Sequence, residues 1–310
     1  MTSVDTLTVN PTIDIAYEVD RLEPVRKMRA RNERHDPGGG GINVARVFVR
    51  LGGNARCHYL AGGPTGVTLD ALLDRHQLVK ACTPITGDTR TSTTIYEAST
   101  GREFRVVAPG PEISPAEWGS CLDRLGQTRA DYIVASGSLA RGLPDDFYAR
   151  AARAAQAAGA RFVLDSSGRG LVGGLAGGGI FLVKPSLEEL CDLVDDELRS
   201  EDDLARAAQD IVRRGQAEYV AVSMADRGAL LAGRDGVVRL DALKVETRST
   251  VGAGDSFVAA MVLGLASGKP IEEAFRFGIA AGAAAVSTPG TDLARAEDIR
   301  RLFEQVPVPA

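Results

Sequence analysis

Apolar and polar positions follow two different periods along the chain. Short apolar runs of strand type, "TLTV", "ARCHYLA", "DYIVAS", "RFVLD", "IFLVK" and "YVAVS", are separated by stretches in which apolar residues recur every three or four positions. That succession predicts βαβ units, and hence an α/β fold with a mostly parallel sheet covered by helices on both faces. Helices are expected from Ile42, near Leu69, and from about Asp255 to Gly268, where Phe257, Met261 and Leu265 recur at i, i+4 and i+8. Two segments break the rhythm. From Ile15 to Asp36 and from Thr89 to Ala108 polar and apolar residues alternate ("TSTTIYEAS", "REFRVV") with no crossover helix between them. They predict half-exposed antiparallel strands, a small lid sheet on a single core domain covering 1–310.

At 310 residues and 44% hydrophobic content the chain can bury a sizeable core. A net charge of −5 and a pI near 5.4 argue against a general nucleic-acid binder, so an anionic ligand would need a local basic cluster. Such residues occur in "RLEPVRKMRARNER", from Arg21 to Arg34, and at Arg90, Arg102 and Arg105, although a charge run is most often a solvated face. Cys57, Cys82, Cys121 and Cys191 form no CxxC pair, so reduced thiols in a cytoplasmic protein are the simplest expectation. "MTSVDTLTVNPTID" has no basic-then-apolar leader pattern, and no apolar helix is long enough to span a membrane. With His35, His58 and His76 alone, and no HExxH spacing, neither a histidine metal site nor a histidine triad is expected.

Open parallel sheets bind ligands beyond the carboxyl ends of their strands. Those positions hold Asp14, the glycine run at Gly38, Ser136 to Ser138, Asp165 and Lys184. Any one of them could serve only as a turn former or cap, and their shared location is what points to a site. In "STVGAGDSFVAAM", Ser249 to Met261, Gly252 and Gly254 stand just ahead of a helix N-terminus. Unpaired amides and the positive end of the dipole favour an anion there. Asp255 is electrostatically awkward in that place, which suits acceptance of a proton from an attacking hydroxyl; as an N-cap it would do a purely structural job. In "PGGGGINVARVFVRLGG", Pro37 to Gly53, four glycines lead into a helix and Asn43 is available to sugar hydroxyls. The spacing fails the GxGxxG pattern and no Walker motif occurs, which disfavours a nicotinamide-dependent oxidoreductase.

These two motifs, in this order and about two hundred residues apart, resemble both signatures of the ribokinase-like PfkB family of sugar kinases. The likeness extends over essentially the whole chain through "NPTID", "SGSL", "LDSSG", "VKPSLEEL" and "FGIAAGAAAVSTPGT". Within the family the chain is most similar to the 6-phosphofructokinases, because "PGGGGINVAR" has glycine where the fructose-1-phosphate and tagatose-6-phosphate kinases commonly carry lysine. The resemblance implies a three-layer α/β/α sandwich with a small β-sheet lid, ATP as phosphoryl donor with Mg2+, a sugar phosphate as acceptor and a homodimer clasped through the lids. The nearest rival is another ketose-phosphate kinase of the same family, acting on tagatose 6-phosphate or fructose 1-phosphate, and a non-catalytic sugar-phosphate sensor is the rival of another class.

By position, the resemblance makes Asp255 the base and gives Gly252, Ala253 and Gly254 the anion hole. Asp14, Gly38, Gly39, Gly40, Gly41 and Asn43 would hold the sugar, and Arg90, Ser138, Lys27 and Arg105 its phosphate. Lys184, Ser186, Ser223, Gly228 and Gly254 would line the nucleotide site, with the "IAAGAAAVS" helix around Gly282 beside the adenine. Glu189 would organise magnesium, with Asp165 as second contributor. Three departures stand out. The family's NxxE motif reads Ser186-Leu187-Glu188-Glu189, which is also a capping box; "SGSLARG" brings Arg141 near the sugar; and Asp292 replaces an arginine near a potassium loop, which puts potassium dependence in question.

Overall fold

Strand β1 (Val4–Thr8) is buried along its whole length. Its side chains leave on opposite faces, so Val4 enters one apolar cluster and Leu7 another. The computed structural model to which this strand belongs describes residues 3–288 and 292–309. The other strands are β2 (Thr12–Val19), β3 (Arg31–Gly38), β4 (Ala55–Ala61), β5 (Val79–Pro84), β6 (Arg90–Glu97) and β7 (Arg102–Val107). They continue with β8 (Tyr132–Ser136), β9 (Arg161–Asp165), β10 (Ile180–Val183), β11 (Ala217–Ser223), β12 (Ala229–Gly233) and β13 (Gly236–Leu240). Among the described residues nine of them form one sheet in the order β13-β12-β11-β10-β9-β8-β1-β4-β5. Pairing is parallel from β11 through to β5, and the β12–β13 hairpin adds an antiparallel edge.

The helices are α1 (Gly40–Arg50), α2 (Gly63–Arg75), α3 (Pro115–Leu125), α4 (Phe147–Ala157) and α5 (Gly168–Ala176), then α6 (Leu187–Val194), α7 (Glu201–Arg213), α8 (Ala253–Ala266), α9 (Ile271–Val286) and α10 (Ala296–Phe303). Ile42 and Phe48 of α1, Leu69 of α2, Phe257 of α8, Phe275 of α9 and Ile299 of α10 share one cluster with Tyr132 and Val134. Leu125 of α3, Phe147 of α4, Leu171 of α5, Leu190 of α6 and Leu204 of α7 share the other with Ile133 and Ala135. The alternation along β8 therefore assigns the helices to two layers, and the architecture is the three-layer α/β/α sandwich. Helix α8 is buried from Ser256 to Val262. It packs against α9 where Gly264 meets Ala274 and Gly278 meets the Phe257 carbonyl, positions at which an added Cβ would come within 3.1 Å of backbone.

The remaining four strands form a second sheet in the order β3-β2-β6-β7. Its β2–β3 and β6–β7 hairpins are antiparallel, but β2 and β6 run parallel, so the sheet is mixed where the alternating pattern predicts antiparallel strands alone. Periodicity sets which face a side chain takes and carries no information on strand direction. Strand β7 is exposed throughout, including Phe104, Val106 and Val107. Among the described residues no helix is long and apolar enough to cross a membrane.

Candidate active site

The carboxyl ends of β8, β9 and β10 converge with the N-termini of α1 and α8. Ser136 closes β8, Asp165 closes β9 and Lys184 follows β10. Gly252, with φ of 72°, turns the chain into α8, whose ladder begins with the Ser256 amide donating to the Gly252 carbonyl at 2.9 Å. The amides of Gly254 and Asp255 lie ahead of that ladder, as helix ends leave them. Asp255 is in the first turn, makes no cap bond, and turns its carboxylate inward instead. Its Oδ2 accepts from Asn43 Nδ2 at 3.0 Å, and its Oδ1 accepts from Ser136 Oγ at 3.3 Å. The same hydroxyl lies 3.1 Å from Asp165 Oδ2, and Lys184 Nζ pairs with Asp165 Oδ1 at 3.0 Å.

This setting governs protonation. Burial pushes the Asp255 carboxyl up to about 7 and the neighbouring Asp165 charge pushes the same way, against the lowering effects of Asn43, Lys184 and Ser136. Burial works against the Lys184 charge, but Asp165 outweighs it and the ammonium is held more firmly than usual, with Glu189 and Asp255 adding to the effect. The site therefore combines a fixed cation with a carboxylate whose proton affinity lies near neutrality, the condition in which a carboxylate works best as a general base.

Close backbone approach explains the glycine run. A Cβ on Gly40 would lie 2.1 Å from Ser136 Oγ, and one on Gly38 would lie 2.1 Å from Asp14 Oδ2. Gly39, at φ of 109°, is the N-cap of α1, and a Cβ on Gly41 would lie 2.5 Å from the Leu7 carbonyl. Asp14 projects from β2, and its Oδ1 is buried with no partner. Burial raises its pKa against Arg105, Arg46 and Arg90. A buried acceptor without a donor fits a hydroxyl supplied by a ligand.

Other expected residues stand differently. The Arg90 guanidinium is committed to backbone carbonyls, donating to Asn10 O at 2.9 Å, Ala108 O at 3.2 Å and Pro11 O at 3.4 Å. Arg105, on exposed β7, acts electrostatically on Asp14 and Arg90. Lys27 and Ser138 are exposed, and in the strand-end segment the structure brings Ser136, not Ser138, to Asp255. Arg141 is also exposed. On the other flank, Gly254 faces Lys184, and a Cβ there would lie 3.5 Å from Nζ. Ser186 and Ser223 form an isolated bridge between neighbouring strand ends. Gly228 turns at φ of 92° against Leu240 and Asp241, and Gly282 of α9 lies beside the Ala253 carbonyl.

Ser186 and Glu189 do form a capping box: the Glu189 amide donates to Ser186 Oγ at 3.2 Å and the Ser186 amide to Glu189 Oε2 at 2.8 Å. Among the described residues no three His, Cys, Asp or Glu side chains gather into a metal cage. Glu189 and Asp165 are hard carboxylates of the kind magnesium takes, Asp165 being engaged here by Lys184 and Ser136 and Glu189 by its capping box. Asp292 is engaged within the fold, pairing with Arg50 at 3.1 Å and accepting from the Leu293 amide at 2.9 Å. Pro289, Gly290 and Thr291 of the "STPGT" segment lie outside the described residues.

One residue of this network escapes the sequence reading, whereas Ser136 stands among the strand-end positions named there. Arg46 sits among the apolar residues of α1, buried, donating to Asn43 Oδ1 at 3.2 Å. Its spacing of i+3 from Asn43 was the available signal.

A sequence model described as pfkB family carbohydrate kinase matches residues 4–298. The chain is 42% identical over 301 residues to the ATP-dependent 6-phosphofructokinase isozyme 2 of Mycobacterium tuberculosis, covering 96% of this chain and 88% of that one. Phosphofructokinase-2 from Escherichia coli, solved in complex with potassium, superposes with a TM-score of 0.94 at 38% identity, covering 98% of this chain and 99% of that one. In complex with fructose-6-phosphate the same protein gives a TM-score of 0.92 at 36% identity, covering 99% of each chain. With the match spanning nearly the whole chain and both glycine motifs converging on one half-buried carboxylate, this chain belongs to the pfkB family of carbohydrate kinases.

Proposed function

We propose that this chain is an ATP-dependent 6-phosphofructokinase, transferring the γ-phosphoryl group of ATP to the C1 hydroxyl of fructose 6-phosphate to give fructose 1,6-bisphosphate and ADP. The observation that carries the reading is Asp255, a half-buried carboxylate held by Asn43 and Ser136 directly behind the free amides of a helix N-terminus. In this reading the C1 hydroxyl gives its proton to Asp255 as its oxygen attacks the γ-phosphorus and the bond to the ADP oxygen breaks. The amides of Gly252 to Asp255 stabilise charge on the migrating group, and Lys184 does so from the nucleotide side. Asp14, with its unpartnered Oδ1, takes sugar hydroxyls beside the Gly38–Gly41 run. Arg90 and Arg105 supply positive charge for the 6-phosphate. Ser186, Ser223, Gly228 and Gly282 line the nucleotide side. Glu189 and Asp165 would hold magnesium, which when bound neutralises phosphate charge and fixes the nucleotide's orientation. Asp292 acts in this reading as the partner of Arg50.

The exposed apolar side chains of the small sheet, Tyr96, Phe104, Val106 and Val107, support a homodimer in which a second copy covers this lid. Light scattering at assay concentration tests it, and a fully active monomer overturns it.

A coupled assay of purified protein with fructose 6-phosphate, fructose 1-phosphate and tagatose 6-phosphate tests the function. The highest kcat/KM is expected for fructose 6-phosphate. A preference for either of the others would reassign the acceptor. Sugar-phosphate binding without turnover on any of them would leave a sensor.

A further inference from the structure

Arg46 is 4% exposed. A guanidinium withdrawn from water this far is tolerated only when its donors find acceptors. Nη1 donates to the Pro37 carbonyl at 3.0 Å and to Asn43 Oδ1 at 3.2 Å, Nη2 faces Asp36 Oδ1 at 3.5 Å, and Nε alone has no partner among the described residues. Burial lowers its pKa to about 10, which leaves it charged at neutral pH. Asp36 and Pro37 belong to the end of β3 in the small sheet, whereas Asn43 belongs to the first turn of α1. One cation therefore joins the covering sheet to the amide that touches Asp255.

The orientation of that amide follows. With its Oδ1 accepting from Arg46, Asn43 presents Nδ2 to Asp255 Oδ2 at 3.0 Å. The flipped amide would set its oxygen against a carboxylate and its NH2 against a guanidinium, two repulsive contacts in place of two charge-assisted hydrogen bonds. Lysine cannot substitute. A single ammonium lacks the planar fork that reaches a carbonyl, an amide oxygen and a carboxylate together.

We propose that Arg46 is a positioning residue for phosphoryl transfer: anchored on Asp36 and Pro37 at the end of β3, its guanidinium fixes the Asn43 amide with NH2 toward Asp255 and so keeps the proton acceptor in register with the small sheet. The inference rests on the kinase reading for its kinetic consequence, while the amide orientation stands apart from it.

The test compares Arg46→Lys, Asn43→Ala and the double variant. Arg46→Lys is expected to lower kcat by about 10- to 100-fold while the KM for ATP moves by less than about threefold. The double variant should be no slower than Asn43→Ala alone, because both lesions break one relay; multiplicative losses would overturn the proposal. The second readout is the Asn43 side-chain amide in 15N NMR of the ligand-free protein, assigned by its disappearance in Asn43→Ala. Its hydrogen exchange should accelerate by at least about tenfold in Arg46→Lys, and unchanged protection would refute the orienting role. If Arg46→Lys does not fold, Asp36→Asn removes the anchoring charge and should accelerate exchange of the same amide; unchanged protection counts against the proposal. An inactive wild-type protein would defeat the functional reading, whereas the NMR result decides the positioning claim by itself.

Discussion

Asn43 Nδ2 lies 3.0 Å from Asp255 Oδ2, across 212 positions of sequence. The contact joins the two glycine-rich motifs and sets the N-termini of α1 and α8 against one point at the carboxyl edge of the sheet. A charge-assisted bond of this kind lowers the carboxyl's proton affinity, and burial beside Asp165 raises it further in the opposite direction. The balance depends on few donors, so each donor should be visible in kinetics.

Ser136 is the clearest of these. Its hydroxyl stands between Asp255 and Asp165, and its donation holds the Asp255 pKa down. Ser136→Ala removes that donor, so the Asp255 pKa rises and the acidic limb of the kcat/KM profile moves to higher pH. The variant should be slow at about pH 6.5 and recover most of its rate by about pH 8.5. A uniform loss across the pH range would mean that the hydroxyl acts on substrate instead.

Arg90 serves as a structural strap as well as a source of charge. Its donors hold the Asn10–Pro11 lead into β2 to the end of β7. Arg90→Ala should therefore cost about 1–3 kcal/mol of stability and raise the KM for fructose 6-phosphate well above that for ATP. Thermal melts and initial rates separate the two parts. A lowered Tm with unchanged KM would assign the residue to the strap alone.

Much of this was legible because the fold's rules act locally. The strands "DYIVAS", "RFVLD" and "IFLVK" announce themselves as apolar runs, and their C-terminal residues Ser136, Asp165 and Lys184 share the site because parallel strands end on one edge. Gly252 marks the start of α8 through its left-handed backbone, three residues ahead of the start read at Asp255 from apolar spacing. The β12–β13 edge and the parallel β2–β6 pair were not legible, since periodicity carries no strand direction. Arg46 was missed for a different reason. A charged residue within an apolar helix face reads as solvated until its partners on β3 and α1 are placed around it.

Ser186 separates a cap from a metal organiser. Both halves of its capping box with Glu189 are present, and asparagine caps a helix about as well as serine. Ser186→Asn should shift Tm by no more than about 1–2 °C while the apparent magnesium affinity in the kinase assay changes. A shifted melt with unchanged magnesium dependence would confine the pair to its structural role.

Asp255→Asn separates chemistry from stability most sharply, because the two should move in opposite directions. The substituted amide can accept from Asn43 through its oxygen and donate to Ser136 Oγ through its nitrogen, so the local hydrogen bonds survive and the helix needs no side-chain cap here. Burial raises the wild-type carboxyl from 3.8 to about 7, so the folded protein binds this proton more tightly than the unfolded chain. The stability this group contributes is fully present below its unfolded pKa and is lost as pH rises through about 7. Removing the titration should make Asp255→Asn more stable than wild type above that pH, by on the order of a few kcal/mol, with the difference shrinking toward acid. Catalysis needs the deprotonated form, so wild-type kcat/KM should rise with pH and level off above about 7. The variant should lose about 10²- to 10⁴-fold in kcat with ATP and sugar phosphate still bound. Melting curves, calorimetric ATP binding and kcat on one preparation decide it: a more stable protein that turns over near the wild-type rate would remove Asp255 from the proton transfer.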